Sequence, residues 1–319
     1  MAILVAGATG NVGRHVVGRL VEAGQDVRAL TRRPGAAALP PEVRVFEGDL
    51  TRPETLPPAL EGVRTMLLFP VGEAVDEVVA LAAKAGVRRI VVLSSAAVTA
   101  GYDTEYHYPV EQAVERSGLE WTHVRPGEFA VNSLYLWAPS VKAERRVVDV
   151  DLDTPGTPIH EADIADVAAA ALMDDRHAGK AYNLAGPEAL THRDQIAAIA
   201  AAIGEPLRVD EVEPEEAREF YRAQGGWAAE NADFLFGFED YSGETTDPTG
   251  VTPGADRQEG ADHPSGDGRQ DGQQQSADGE AEEQAWEEPD IPWLTCTDIT
   301  GGPARTYAEW ARDHVDDFR

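Results

Sequence analysis

The segment Gly7-Ala8-Thr9-Gly10-Asn11-Val12-Gly13 constrains this chain more than any other. Five apolar residues, Ala2 to Ala6, run into it. Val12, Val16, Val17, Leu20 and Val21 follow at helical spacing on one face, and Gly24 stands just past their end. A strand that turns through glycines straight into a helix has few ways to fold. Gly7 permits the tight turn, Gly10 lets a ligand approach the backbone, and Gly13 lets the helix lie against the strand. The first N–H groups of the helix and its positive dipole end then face the turn, which suits the pyrophosphate of a dinucleotide. Gly7, Thr9, Gly10, Asn11 and Val12 are the expected contacts.

Short apolar strands continue at 26–31, 43–46, 65–69, 89–93 and 121–124, with helical stretches between them. Thr51-Arg52-Pro53-Glu54 reads as a capping box with proline at the first helical position. Strand, helix, strand throughout predicts an α/β fold, a Rossmann-type doubly wound parallel sheet, over residues 1–150. Beyond it the rhythm changes. An alanine-rich helix at 162–173, a strand at 180–184, a helix capped by Thr191, a strand at 207–212 and a helix opened by Pro214 predict a smaller α/β substrate-side region over 151–241 and 285–319, ending in a helix near 306–314. Residues 242–284 contain one Val and no Leu, Ile, Phe, Tyr or Trp. Such a stretch cannot bury enough apolar area to offset its ordering entropy and is expected to be a disordered acidic insert.

Composition excludes several classes. The formal charge is −30; residues 239–290 hold 16 acids and 2 bases, so −16 remains on the other residues. A body this acidic repels nucleic acid and anionic membrane. Lys84, Lys142 and Lys180 are the only lysines, which fits a surface of halophilic type or a modest acidic bias from a GC-rich genome. Cys296 is the single cysteine and the eight histidines show no ligand spacing, so no metal is expected. No basic segment precedes the N-terminal apolar run, and no apolar run is long enough to span a bilayer, so the expected location is cytoplasmic.

The cofactor is read at the end of the second strand. An NAD site places an acid there for the ribose 2′-hydroxyl. This chain has Thr31-Arg32-Arg33-Pro34, and a guanidinium at Arg32 suits the 2′-phosphate of NADP(H). In Gly48-Asp49-Leu50, Asp49 is expected to accept from the adenine amino group, with Leu50 against the ring. Phe69 and Ser94, after the fourth and fifth strands, lie where nicotinamide and substrate belong. In Arg125-Pro126-Gly127-Glu128-Phe129, Arg125 is either a substrate contact or half of a buried ion pair. Trp137 reads as core, and Glu120 as part of a solvated helix end.

The runs GATGNVGRHVV, VRALTRRP, GDL, VVLSS, VERSGLEWTHVRPGEF, DIADVAAAAL and YNLAGPEALT resemble the NmrA-like, NAD(P)H-binding group of atypical short-chain dehydrogenases. The resemblance covers about 1–215 and returns weakly near 297–310. That group includes NADPH:quinone reductases and redox-sensing regulators without turnover. The Tyr-x-x-x-Lys pair of ordinary short-chain dehydrogenases is missing, since none of Tyr102, Tyr106 and Tyr108 has a lysine four residues later. The resemblance instead places His107 and Glu111 on that helix and implies His107 as the catalytic residue. A tyrosine acid is therefore doubtful, while a quinone, whose hydroquinone anion takes a proton from solvent, is a less demanding acceptor.

The expected function is an NADPH-dependent oxidoreductase that reduces a quinone-like or conjugated carbonyl acceptor. A non-catalytic NADP(H)-binding sensor is the alternative, and a nucleotide-sugar epimerase ranks lower because the Tyr/Lys pair is absent. A homodimer or a regulatory protein partner stays open.

Overall fold

The computed structural model describes residues 2–240, 243–246, 248 and 291–319. The expected insert, 242–284, falls almost wholly outside the described residues. Twelve strands occur among the described residues: β1 (Ala2–Ala6), β2 (Asp26–Thr31), β3 (Arg44–Glu47), β4 (Val63–Leu68), β5 (Arg89–Leu93), β6 (Glu120–Pro126), β7 (Arg146–Asp149), β8 (Pro155–Gly156), β9 (Lys180–Leu184), β10 (Leu190–Thr191), β11 (Arg208–Glu211) and β12 (Trp293–Leu294). Eight form one parallel sheet in the order β12-β9-β6-β5-β4-β1-β2-β3. The order reverses between β1 and β4, and a doubly wound sheet opens its ligand crevice at such a switch point. The glycine turn after β1 sits there.

Both faces of the sheet are covered, so its central strands β1, β4 and β5 are buried along most of their length. The Gly13–Glu22 helix turns Val16, Val17 and Leu20 onto one face beside the Glu161–Met173 helix. The Val75–Ala85 and Tyr108–Arg116 helices cover the other through Val78, Val79, Val110 and Val114. Three elements from beyond residue 150 join this sheet: the Glu161–Met173 helix, β9 beside β6, and β12 at the edge. A separate core of Trp137, Val141, Ile199, Tyr221, Trp310 and Phe318 holds the rest of the C-terminal region together, where β7 pairs with β11 and β8 with β10.

Two local expectations are corrected. Thr51 does not cap a helix: its N–H and Oγ both donate to Asp49 Oδ1, at 3.0 and 2.8 Å, and a 3-10 turn, Pro53–Thr55, separates it from the one-turn helix Pro57–Leu60. Glu120 is not a solvated helix end. The helix stops at Arg116, and Glu120 opens β6, where it accepts from Arg88 Nε at 2.8 Å and Arg89 Nη2 at 2.9 Å. By contrast, Thr191 and Thr306 each form a full capping box, with Asp194 and Glu309.

Candidate active site

The glycine turn is built as its spacing predicts. Gly7 has φ +63°, in the left-handed region that favours glycine. A Cβ on Gly13 would come within 2.1 Å of the Gly7 carbonyl oxygen, so the helix can start this close to the strand only without a side chain there. Gly10 N–H donates back to Gly7 O at 2.9 Å, closing the turn.

Three clefts run along the carboxyl edge of the sheet. The first, about 300 Å³, is lined by Gly7, Thr9, Arg32, Asp49, Leu50 and Phe69. The second, about 290 Å³, shares Gly7, Gly10 and Phe69 with the first and adds Asn11, Val12, Leu93 and Phe129. The third, about 390 Å³, is walled by Ser95, Tyr102, Gly127, Glu128, Asn132 and Trp293. Nine of the ten expected cofactor residues thus line the first two clefts. The tenth, Ser94, lies between Leu93 of the second and Ser95 of the third.

These residues fit a dinucleotide. Arg32 is exposed, forms no ion pair among the described residues, and stands beside the cleft at the end of β2, where no acid is present. The Ser94 hydroxyl is buried with no hydrogen-bond partner among the described residues, so it has a donor to offer. The backbone N–H and the hydroxyl of Thr51 hold the Asp49 carboxyl below the usual range, and its second oxygen, in an ion pair with Arg52 at 3.8 Å, accepts no hydrogen bond from the described residues. Asn11 is oriented from the C-terminal side, its Nδ2 donating to Tyr135 Oη at 2.6 Å.

His107 and Glu111, although one turn apart, are held by different partners. The ring of His107 bonds through Nδ1 to Asp103, which also accepts the backbone N–H groups of His107 at 2.9 Å and Tyr106 at 3.0 Å. Burial alone would raise Asp103, but these hydrogen bonds bring its carboxyl below the usual range. An ionised carboxylate only accepts, which assigns the Nδ1 proton to His107. His107 lines none of the three clefts. Glu111 is buried and bidentate to Arg125, whose Nη1 donates to Thr99 Oγ1 at 3.0 Å; Thr99 in turn donates to Asn183 at 2.6 Å. Arg125 is therefore the ion-pair half of its two expected roles. This network ties the Tyr108–Arg116 helix to β6 and β9.

Residue-by-residue reading did not single out Asn132 or Trp293 as walls of the third cleft. Trp293 arrives from the far side of the acidic segment and packs over Gly127, where a Cβ would touch its ring at 3.1 Å.

The profile of a family described as NAD(P)H-binding matches residues 7–175. The chain is 41% identical over 224 residues to a (4-alkanoyl-5-oxo-2,5-dihydrofuran-3-yl)methyl phosphate reductase of Streptomyces griseus, covering 68% of this chain and 79% of the relative. It is 34% identical over 235 residues to an NAD(P)H azoreductase of Xenophilus azovorans, covering 70% and 81%. An NADPH-dependent quinone oxidoreductase of Escherichia coli, in complex with NADPH, superposes with a TM-score of 0.62 at 26% identity over 73% of this chain and 86% of that one.

Proposed function

Because the chain belongs to the NAD(P)H-binding family, we propose that it is an NADPH-dependent oxidoreductase whose acceptor is a quinone-like or other conjugated carbonyl compound. Bound NADPH would supply a hydride. The chain supplies the binding: Arg32 for the 2′-phosphate, Asp49 and Leu50 for adenine, the Gly7–Val12 turn for the pyrophosphate, and Phe69 and Ser94 on the nicotinamide side.

The observation that carries the reading is the succession of clefts along the carboxyl edge of the sheet. Phe69 belongs to both the first and second clefts, and Phe129 of the second directly follows Gly127 and Glu128 of the third. A cofactor site with a further cleft next along the chain, walled by Tyr102 and Trp293, has room for an acceptor, which a binding-only sensor does not need. Among the described residues the third cleft contains no lysine or arginine. That favours an acceptor without a phosphate, in contrast to the substrate named for the Streptomyces relative. His107, fixed by Asp103 on the segment that follows Tyr102 of the third cleft, is proposed as a ribose contact.

The test is to incubate purified protein and NADPH with a panel of quinones and conjugated carbonyls and follow the absorbance of the reduced cofactor. Oxidation above the uncatalysed rate is expected. Tight NADPH binding with no oxidation by any acceptor would replace this reading with the sensor.

A further inference from the structure

The fully buried carboxylates of the described residues each have a cationic or histidine partner. Glu111 has Arg125, Asp163 has Arg305, Glu161 has His160 and His314, Asp103 has His107, and Asp149 has His192. Glu128, half-buried in the wall of the third cleft, departs from this pattern. Its Oε1 accepts from the Gln195 side-chain amide at 3.3 Å, and among the described residues it forms no ion pair. Its Oε2 lies against Gly156, where a Cβ would approach within 2.1 Å, so the neighbouring strand is shaped to admit the carboxyl. A carboxyl desolvated without a cation is the arrangement that keeps the acid protonated and able to donate.

Building on the oxidoreductase reading above, we propose that Glu128 is the proton donor to the reduced acceptor, placed by Gln195 and Gly156 in the wall of the cleft that the acceptor enters. The step balances simply. Bound NADPH would supply the acceptor with a hydride and its electron pair, leaving the acceptor as an anion. The Glu128 O–H bond then breaks as an O–H or C–H bond forms on that anion, and water at the cleft mouth reprotonates the carboxylate.

The electrostatic surroundings agree. Burial pushes the Glu128 carboxyl above its usual range, against the smaller opposing effects of His192 and the Gln195 hydrogen bond. The titratable groups facing it are few. His192, on the His192–Ile203 helix, is tied to Asp149 at 3.3 Å. Tyr307, on the C-terminal Tyr307–Asp313 helix, is raised by burial and bonded to Ser133 at 2.7 Å, so it stays neutral. Tyr102 lies across the cleft.

The experiment compares wild type, Glu128→Gln and Gln195→Met with two probe acceptors, menadione and 2-cyclohexen-1-one. The enolate of the enone is the more basic anion and depends more on a donor. Glu128→Gln should therefore lower kcat/KM about 10²-fold for cyclohexenone and distinctly less for menadione. In wild type, kcat/KM for cyclohexenone should fall as pH rises through the Glu128 titration, and this limb should vanish in Glu128→Gln. Gln195→Met removes a hydrogen bond that favours the carboxylate, so it should move the limb to higher pH. Independently of turnover, wild type should show an infrared carbonyl band of a protonated carboxyl that persists to higher pH than that of an ordinary glutamate, and this band should be absent from Glu128→Gln. An unchanged limb in Glu128→Gln, an equal loss for both acceptors, or a missing band would overturn the proposal. If no acceptor oxidises NADPH, the functional reading fails, and the infrared band alone decides whether Glu128 holds the proton.

Discussion

Arg32→Ala is the perturbation that tests cofactor choice most directly. Arg32 is exposed at the first cleft, with Asp49 on its far side close enough for the arginine to lower the Asp49 carboxyl. A guanidinium about 4 Å from one phosphate charge gains about 1 kcal/mol in bulk water and about 4 kcal/mol at a partly shielded protein surface. The exposure of Arg32 places the interaction toward the lower figure, the near-double charge of a 2′-phosphate raises it, and Asp49 on the same cleft offsets part of the gain. About 2 kcal/mol results, or about thirtyfold in Kd. NADH has no 2′-phosphate, so its Kd should change by less than about twofold. Calorimetric titration of both cofactors against wild type and Arg32→Ala, at low and high salt, separates the terms. The NADPH advantage of wild type should shrink as salt screens the exposed pair, and the variant should show little salt dependence in that advantage. Equal affinity for the two cofactors in wild type, or a variant that loses both alike, would refute the assignment.

Other residues give sharper or simpler readouts. Gly13→Ala places a methyl 2.1 Å from a backbone oxygen that cannot swing aside, so thermal denaturation should show a loss of about 1–3 kcal/mol, with weaker binding of both cofactors. Tyr106→Phe and Tyr108→Phe alter exposed side chains with no lysine partner and should lower turnover only modestly, whereas His107→Ala, which breaks the Asp103 pair, should lower it more; full loss in one tyrosine variant would restore a tyrosine acid. The His314 imidazole is buried, which alone would lower its pKa, but hydrogen bonds to Glu161 and Asp317 raise it above the ordinary value. The stability it contributes is complete below about pH 6.5 and lost as pH rises through the raised value. The gap in melting temperature between wild type and His314→Gln should close over that window, and a gap independent of pH would rule out the linkage.

What the sequence could reveal was set by how local the physics is. The glycine turn was legible to the residue because its three constraints act within seven positions: the positive φ of Gly7, the short Gly10 bond and the helix contact at Gly13. The helix starts at Thr191 and Thr306 were also legible, and each proves to be a capping box. Thr51 offered the same pattern and failed, because Asp49, two residues upstream, captured its N–H and hydroxyl before a helix could use them. Strand β9 was found with its correct ends, but its place beside β6 depends on pairing Thr122 with Lys180, across almost sixty residues, and no local pattern encodes that partner. Separation in sequence also hid the third cleft. Its walls come from Ser95, from Gly127 to Asn132, and from Trp293, three segments far apart in sequence that only the sheet order brings together. The carboxylate of Glu128 is plain in the sequence, yet its chemistry lies in its burial without an ion pair, and that is decided by Gln195 and Gly156 arriving from elsewhere in the fold.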